Sequence, residues 1–250
     1  MSDSDTESSE DEPVSGDEEA QGESRDVEEE ETKIVEESSP NNPPATFEEM
    51  GVSKWILHQL DGLGIRQPSA VQAACIPAVL AGRDCVGIAK TGQGKTLAFA
   101  VPILQQLAVD PYGVFAVVLT PTRELAAQIG DSFRSLGRAG MNLREVVVTG
   151  GRDTIKQSLD LERRPHVVIA TPGRLADHIR TNSTFSLARV RHLVLDEADR
   201  LLEGTLINNT SSFYYLYAAY AMVLVSSVTS NQRQACKSSH KILSLRFQSS

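Results

Sequence analysis

The stretch Ala89-Lys90-Thr91-Gly92-Gln93-Gly94-Lys95-Thr96 decides the fold. It follows a short apolar run at residues 85–88 and opens an apolar-periodic stretch at 97–107. A strand, a glycine-bearing turn and a helix in that order form a phosphate-binding loop. The backbone N–H groups of such a turn converge, and the positive end of the helix points into the same concavity. Lys95 then reaches the β- and γ-phosphates, and the Thr96 hydroxyl holds Mg²⁺. The general pattern begins with glycine, and Ala89 departs from it.

Outward from this loop, apolar strand candidates at 114–119, 145–148, 166–170 and 192–195 alternate with helical stretches at 123–136, 154–161 and 174–180. Continuous Val/Ile/Leu strands separated by helices predict an α/β fold, a mostly parallel sheet covered by helices on both faces. Ligands of such sheets sit beyond the carboxyl ends of the strands. Upstream, Ser53 is expected to cap a helix through Trp55, Ile56, Leu57 and Leu60, and Ser69 a second one through Val71, Cys75 and Val79.

The strand at 192–195 runs into Asp196-Glu197-Ala198-Asp199. A carboxylate there suits a metal-organising group, with Asp196 holding Mg²⁺ and Glu197 orienting or deprotonating a water. The competing reading is an acidic N-cap for the helix 198–203. The pairing with a phosphate loop in one sheet favours the first.

Charge is unevenly spread. Residues 1–46 hold 17 acids against Arg25 and Lys33, a net of −15, and residues 205–250 hold four bases and no acid. The whole chain is −9, so removing −15 and +4 leaves +2 for residues 47–204. The acidic stretch 1–46 is nearly free of large apolar residues and is expected to be disordered, a solvating tail or a contact for protein partners. Cys75, Cys85 and Cys236 lack metal or redox spacing, which reads as reduced thiols. No N-terminal leader is expected, and the apolar run at 213–225 is too short to span a membrane comfortably.

Taken together, these motifs resemble the DEAD-box RNA helicases. The residues that carry the resemblance are Asp196-Glu197-Ala198-Asp199, the loop 89–96, Pro121-Thr122-Arg123-Glu124-Leu125-Ala126, Gly150-Gly151 and Thr171-Pro172-Gly173-Arg174. In that family the phosphate loop begins with alanine, so Ala89 fits. The resemblance covers residues 47–204 and implies a RecA-like domain that binds ATP and Mg²⁺. It implies that Gln72 reads adenine and that Phe47 stacks on the base. It makes Ala89, Lys90, Thr91, Gly92, Gln93, Gly94, Lys95 and Thr96 the nucleotide contacts, and Lys95, Asp196 and Glu197 the catalytic set. It gives RNA-backbone contacts to Pro121, Thr122, Arg123, Gly151, Thr171, Pro172, Gly173 and Arg174. The family usually has serine where this chain has Gln93. The stretch 110–115 is similar to members acting in ribosomal RNA maturation, which implies a nuclear, nucleolar setting, with the cytoplasm as alternative.

The likeness stops after Glu203. The second RecA-like domain, which supplies an arginine finger of a kind worth roughly 10³–10⁵ in rate in related hydrolases, is not found in this chain. The expectation is an ATP-dependent RNA helicase represented by a domain incomplete at its C-terminal end, which hydrolyses ATP poorly by itself. The alternative is a catalytically incompetent nucleotide- and RNA-binding fragment from a truncated or alternatively spliced product. The family's strand between the phosphate-loop strand and the Asp196 strand is also lacking in its usual wording, and residues 221–225 are a candidate for that slot.

Overall fold

Each central strand carries apolar residues on both sides, so it must be covered on both faces. In the computed structural model, which describes residues 34–35, 46–138, 140–181, 186–204 and 221–227, it is. The strands are β1 (Ile34–Val35), β2 (Cys85–Ala89), β3 (Ala116–Leu119), β4 (Glu145–Val148), β5 (Val167–Ala170), β6 (His192–Asp196) and β7 (Ala221–Ser227). They form one seven-stranded sheet in the order β1-β2-β7-β6-β3-β5-β4. Every pairing is parallel. All carboxyl ends therefore lie along one edge.

The helices are α1 (Lys54–Gly62), α2 (Ala70–Leu80), α3 (Lys95–Leu107), α4 (Arg123–Gly137), α5 (Thr154–Glu162), α6 (Pro172–Thr181) and α7 (Ala198–Gly204). Period-two alternation sorts the strand residues between two cores. Ala116 and Val118 join the cluster that holds Ile56, Cys75, Phe99 and Phe133 from α1 to α4. Val117 and Leu119 join the one that holds Leu161, Leu175 and Leu201 from α5 to α7. The expected RecA-like α/β architecture, helices on both faces of a parallel sheet, is present.

The slot between β2 and β6 is occupied. β7 pairs with both neighbours, Val225 opposite Gly87 on one side and Asp196 on the other. The ladder is thus continuous from the phosphate loop to the acidic motif.

Three expectations need correction. Ile34 and Val35 fall within the stretch expected to be disordered, yet they pair with Val86 and Gly87 at the sheet edge. They are adjacent β-branched residues, the type that favours extended backbone. The rest of that stretch, apart from Thr46, lies outside the described residues. Ser53 holds the N-cap position of α1, but its side chain makes no cap bond. Its own N–H instead donates to Gln105 Oε1 at 2.8 Å, and Gln105 Nε2 donates to the Gly51 carbonyl at 2.8 Å. Helix α6 starts two residues early, because Pro172 is preset for a first helical turn. Among the described residues no helix is long and apolar enough to cross a membrane.

Candidate functional site

The phosphate loop joins β2 to α3. Gly92 and Gly94 adopt φ of +85° and +76°, the left-handed region that side chains avoid. The loop is also held from the side. Gln72 Nε2 donates to the Gly94 carbonyl at 3.0 Å, and Lys95 Nζ donates to the Ala89 carbonyl at 2.8 Å. Gln93 Oε1 accepts the Lys90 N–H at 2.8 Å. Lys95 is half-buried. Burial lowers its pKa, while the charges of Asp196, Glu197 and Asp199 act in the opposite direction.

Gln72 is buried because its side chain is spent on structure. Ser69 and Gln72 form a reciprocal capping box at the start of α2. The amide still has one N–H and one lone pair beyond its bonds to Ser69 and Gly94, enough to meet an adenine edge. Phe47, the expected stacking aromatic, is 4% exposed, in one cluster with Met50, Val52 and Ile56. The Val52 N–H donates to the Phe47 carbonyl at 3.1 Å and closes a turn there. A lone aromatic ahead of a helix reads the same from sequence whether it staples the helix or stacks on a ligand.

Asp196 ends β6 with 7% exposure. Burial first, and then the Glu197 charge, push its pKa up to about 6, against the lowering pull of Lys95. A carboxylate held at such cost is poised to meet a cation. Glu197 takes φ of +51°, unusual for a side-chain-bearing residue, and bonds Arg200 Nη1 at 2.7 Å. Asp199 Oδ1 is buried without a hydrogen-bond partner. Among the described residues no group of three His, Cys, Asp or Glu side chains could hold a metal.

The second group lies along the same edge, at β3, β5 and β4. Pro121, Thr122 and Arg123 follow β3, and Thr122 caps α4 by accepting the Leu125 N–H. A hydroxyl that accepts at a cap still has its hydrogen to donate. Gly150 and Gly151 follow β4, with Gly151 at φ +77°. The Arg123 guanidinium lies against both, so close that a Cβ on Gly151 would overlap Nη1. Thr171 follows β5 and donates its N–H to the Val148 carbonyl at 3.1 Å, and Pro172, Gly173 and Arg174 open α6. Arg174 Nη1 bonds the Thr154 hydroxyl at the start of α5. This end of the edge offers hydroxyls, backbone at helix starts and two guanidiniums, suited to phosphate rather than base edges.

Structure adds residues that the sequence reading passed over. Arg200 engages Glu197, and Thr154 engages Arg174. The first had a signal in its i,i+3 spacing at the start of α7. The second joins two helices and had none.

A sequence model of the DEAD/DEAH box helicase family matches residues 69–235. The span runs past residue 204, where the sequence reading ends the likeness, and takes in β7. Among curated proteins, the chain is 59% identical over 159 residues to "Probable ATP-dependent RNA helicase DDX49" of Homo sapiens, covering 64% of this chain and 33% of that protein. It is 54% identical over 175 residues to the Mus musculus protein of the same name, 70% and 36% of the two chains. To "ATP-dependent RNA helicase DBP8" of Candida albicans it is 56% identical over 163 residues, 64% and 37%. The matched region spans about a third of the length of these relatives.

Proposed function

This chain belongs to the DEAD/DEAH box helicase family, and on that premise we propose that it binds ATP with Mg²⁺, hydrolyses it, and grips RNA by its backbone. One observation carries the reading: two chemically different residue sets share one edge of one sheet, in separate positions. The phosphate loop and the acidic motif follow β2 and β6, which flank β7, while the hydroxyl and arginine set follows β3, β5 and β4.

In this reading Lys95 exchanges the Ala89 carbonyl for phosphate oxygens. The backbone N–H groups of the loop and the start of α3 supply further donors. Gln72 and its neighbours face the adenine. Thr96 and Asp196 hold Mg²⁺, which supplies charge neutralisation at the phosphates. Glu197 orients the attacking water and takes its proton. Arg123 and Arg174 bind RNA phosphates, with Pro121, Thr122, Gly151, Thr171, Pro172 and Gly173 shaping the backbone path. Because the contacts are to backbone, they carry no sequence preference of their own. A role in ribosomal RNA maturation in the nucleus, in the nucleolus in particular, is the finer proposal, supported by the wording of residues 110–115. Partners for the acidic stretch 1–46 are proposed from its charge alone.

The test is ATP hydrolysis by the full chain with and without single-stranded RNA, with Lys95→Ala and Glu197→Gln as controls. Slow turnover, stimulated by RNA and abolished by both changes, is the expected result. Nucleotide and RNA binding without turnover reduces the reading to a binding fragment. Loss of both bindings in a cooperatively melting chain overturns it.

A further inference from the structure

We infer that Gln93 is a positioning residue of the phosphate loop, one whose side chain holds the turn in shape before any nucleotide arrives. The inference rests on the proposed function for its consequence, but its geometry stands alone. Both backbone polar groups of Lys90 are tied to Gln93. The Lys90 N–H donates to Gln93 Oε1 at 2.8 Å, and the Gln93 N–H donates back to the Lys90 carbonyl at 3.4 Å. Between them Gly92 takes φ +85°, the sign that the third residue of a type II turn requires. The result is a four-residue turn closed from both sides.

The bond matters because of where it lies. β2 ends at Ala89, so Lys90 is the first residue beyond the strand, and among the described residues its N–H goes to Gln93. The next residues, Thr91 to Gly94, must present their amides to phosphate. If Lys90 is loose, the whole turn has to be ordered when the ligand binds, and that ordering is charged against affinity. Gln93 orders it beforehand. The reach is specific to a long amide. A serine hydroxyl ends two atoms short of Oε1, and a methionine has the length without a strong acceptor.

The consequence concerns every nucleotide that carries a β-phosphate, so ADP is the probe. Gln93→Met and Gln93→Ser should each weaken ADP binding by about 3- to 10-fold, the range of one net neutral hydrogen bond. The melting temperature should hold, since Gln93 is a loop residue outside the core. In the nucleotide-free full chain, the Lys90 amide should exchange its hydrogen faster in both variants than in the wild type. Tighter ADP binding in the variants would mean that the side chain plugs the loop instead, and would overturn the assignment. Unchanged binding would also overturn it. If no form of the chain binds ADP, the proposed function has failed, and the Lys90 exchange rates decide alone: equal rates in wild type and Gln93→Met sink the positioning role.

Discussion

Gln72 Nε2 donates to the Gly94 carbonyl at 3.0 Å, and a Cβ on Gly94 would overlap that same nitrogen. The start of α2 and the phosphate loop are therefore fitted to each other at one atom. Gly94→Ala meets both the overlap and a left-handed backbone, a strain of about 1–3 kcal/mol. Its expected outcome is a lower melting temperature and loss of nucleotide binding. Gln72→Glu separates the two jobs of the side chain. It keeps an oxygen for the Ser69 N–H, so α2 stays capped, but it turns an oxygen toward the Gly94 carbonyl. Titration with ADP should show affinity falling more than about fivefold, while the melting point moves little. A large drop in melting point with unchanged affinity would show that the Gln72–Gly94 bond serves folding alone.

Sequence showed most of this site because its signals are local. The turn glycines, Lys95 and Thr96 are fixed by spacing within one loop, and Asp196 by its place at the end of an apolar run. What stayed hidden depends on long-range approach. Phe47 reads as isolated until packing buries its ring among Met50, Val52 and Ile56. Ser53 sits at the N-cap of α1 without a cap bond from its hydroxyl, while Gln105, on a different helix, takes the Ser53 N–H. Arg123 and Gly151 are 28 positions apart, and nothing in either motif shows that the guanidinium lies on the glycine. In the fold, the alternating strands were legible from composition, whereas the central place of β7 required its pairings with β2 and β6.

His192, at the start of β6, makes stability depend on pH. Its Nε2 meets Gln106 Oε1 at 2.7 Å, so that nitrogen carries the hydrogen, and Nδ1 is buried without a partner. Burial first, and then the Arg191 charge, lower its pKa to about 4. The unfolded chain takes a proton near pH 6.5 and the folded one does not, so stability falls as pH drops from about 6.5 to 4. The loss is on the order of 3 kcal/mol at most. Asp196 works oppositely. With its pKa raised to about 6, its contribution falls as pH rises from about 3.8 to 6. The His192 part is therefore read as a difference: in denaturant melts at pH 7.5 and 4.5, His192→Gln should lose less stability than the wild type. Equal losses would reject it.

Two of the glycines at the arginine end, Gly151 and Gly173, should behave differently. Gly151→Ala is strained and displaces Arg123, so RNA affinity should fall about 3- to 10-fold, with the salt slope reduced by about one. Gly173 has helical backbone and open space where a Cβ would go. Gly173→Ala should leave the fold intact or slightly firmer, by up to about 1 kcal/mol. Any loss of RNA affinity in that variant reports close approach of the ligand itself. Filter binding at several salt concentrations, with ADP affinity as the control, measures both. If Gly173→Ala binds RNA as well as the wild type, RNA does not press against α6 there.

β7 ties the nucleotide end of the sheet together, and Val225 pairs with Gly87 and Asp196 at once. A central parallel strand needs its N–H groups for the ladder, and a buried orphaned amide or carbonyl is costly. Val225→Pro removes a donor and fixes φ in the middle of that ladder, at about 3 kcal/mol or more. The cost should appear as a much lower melting temperature and as loss of hydrogen-exchange protection in both β2 and β6. Val35→Pro, in the two-residue strand at the outer edge, should cost far less, because it disturbs one neighbour instead of two. If both prolines have the same small effect, residues 221–227 do not fill the slot in solution. Asp196 and the phosphate loop would then be held in place without a strand between them.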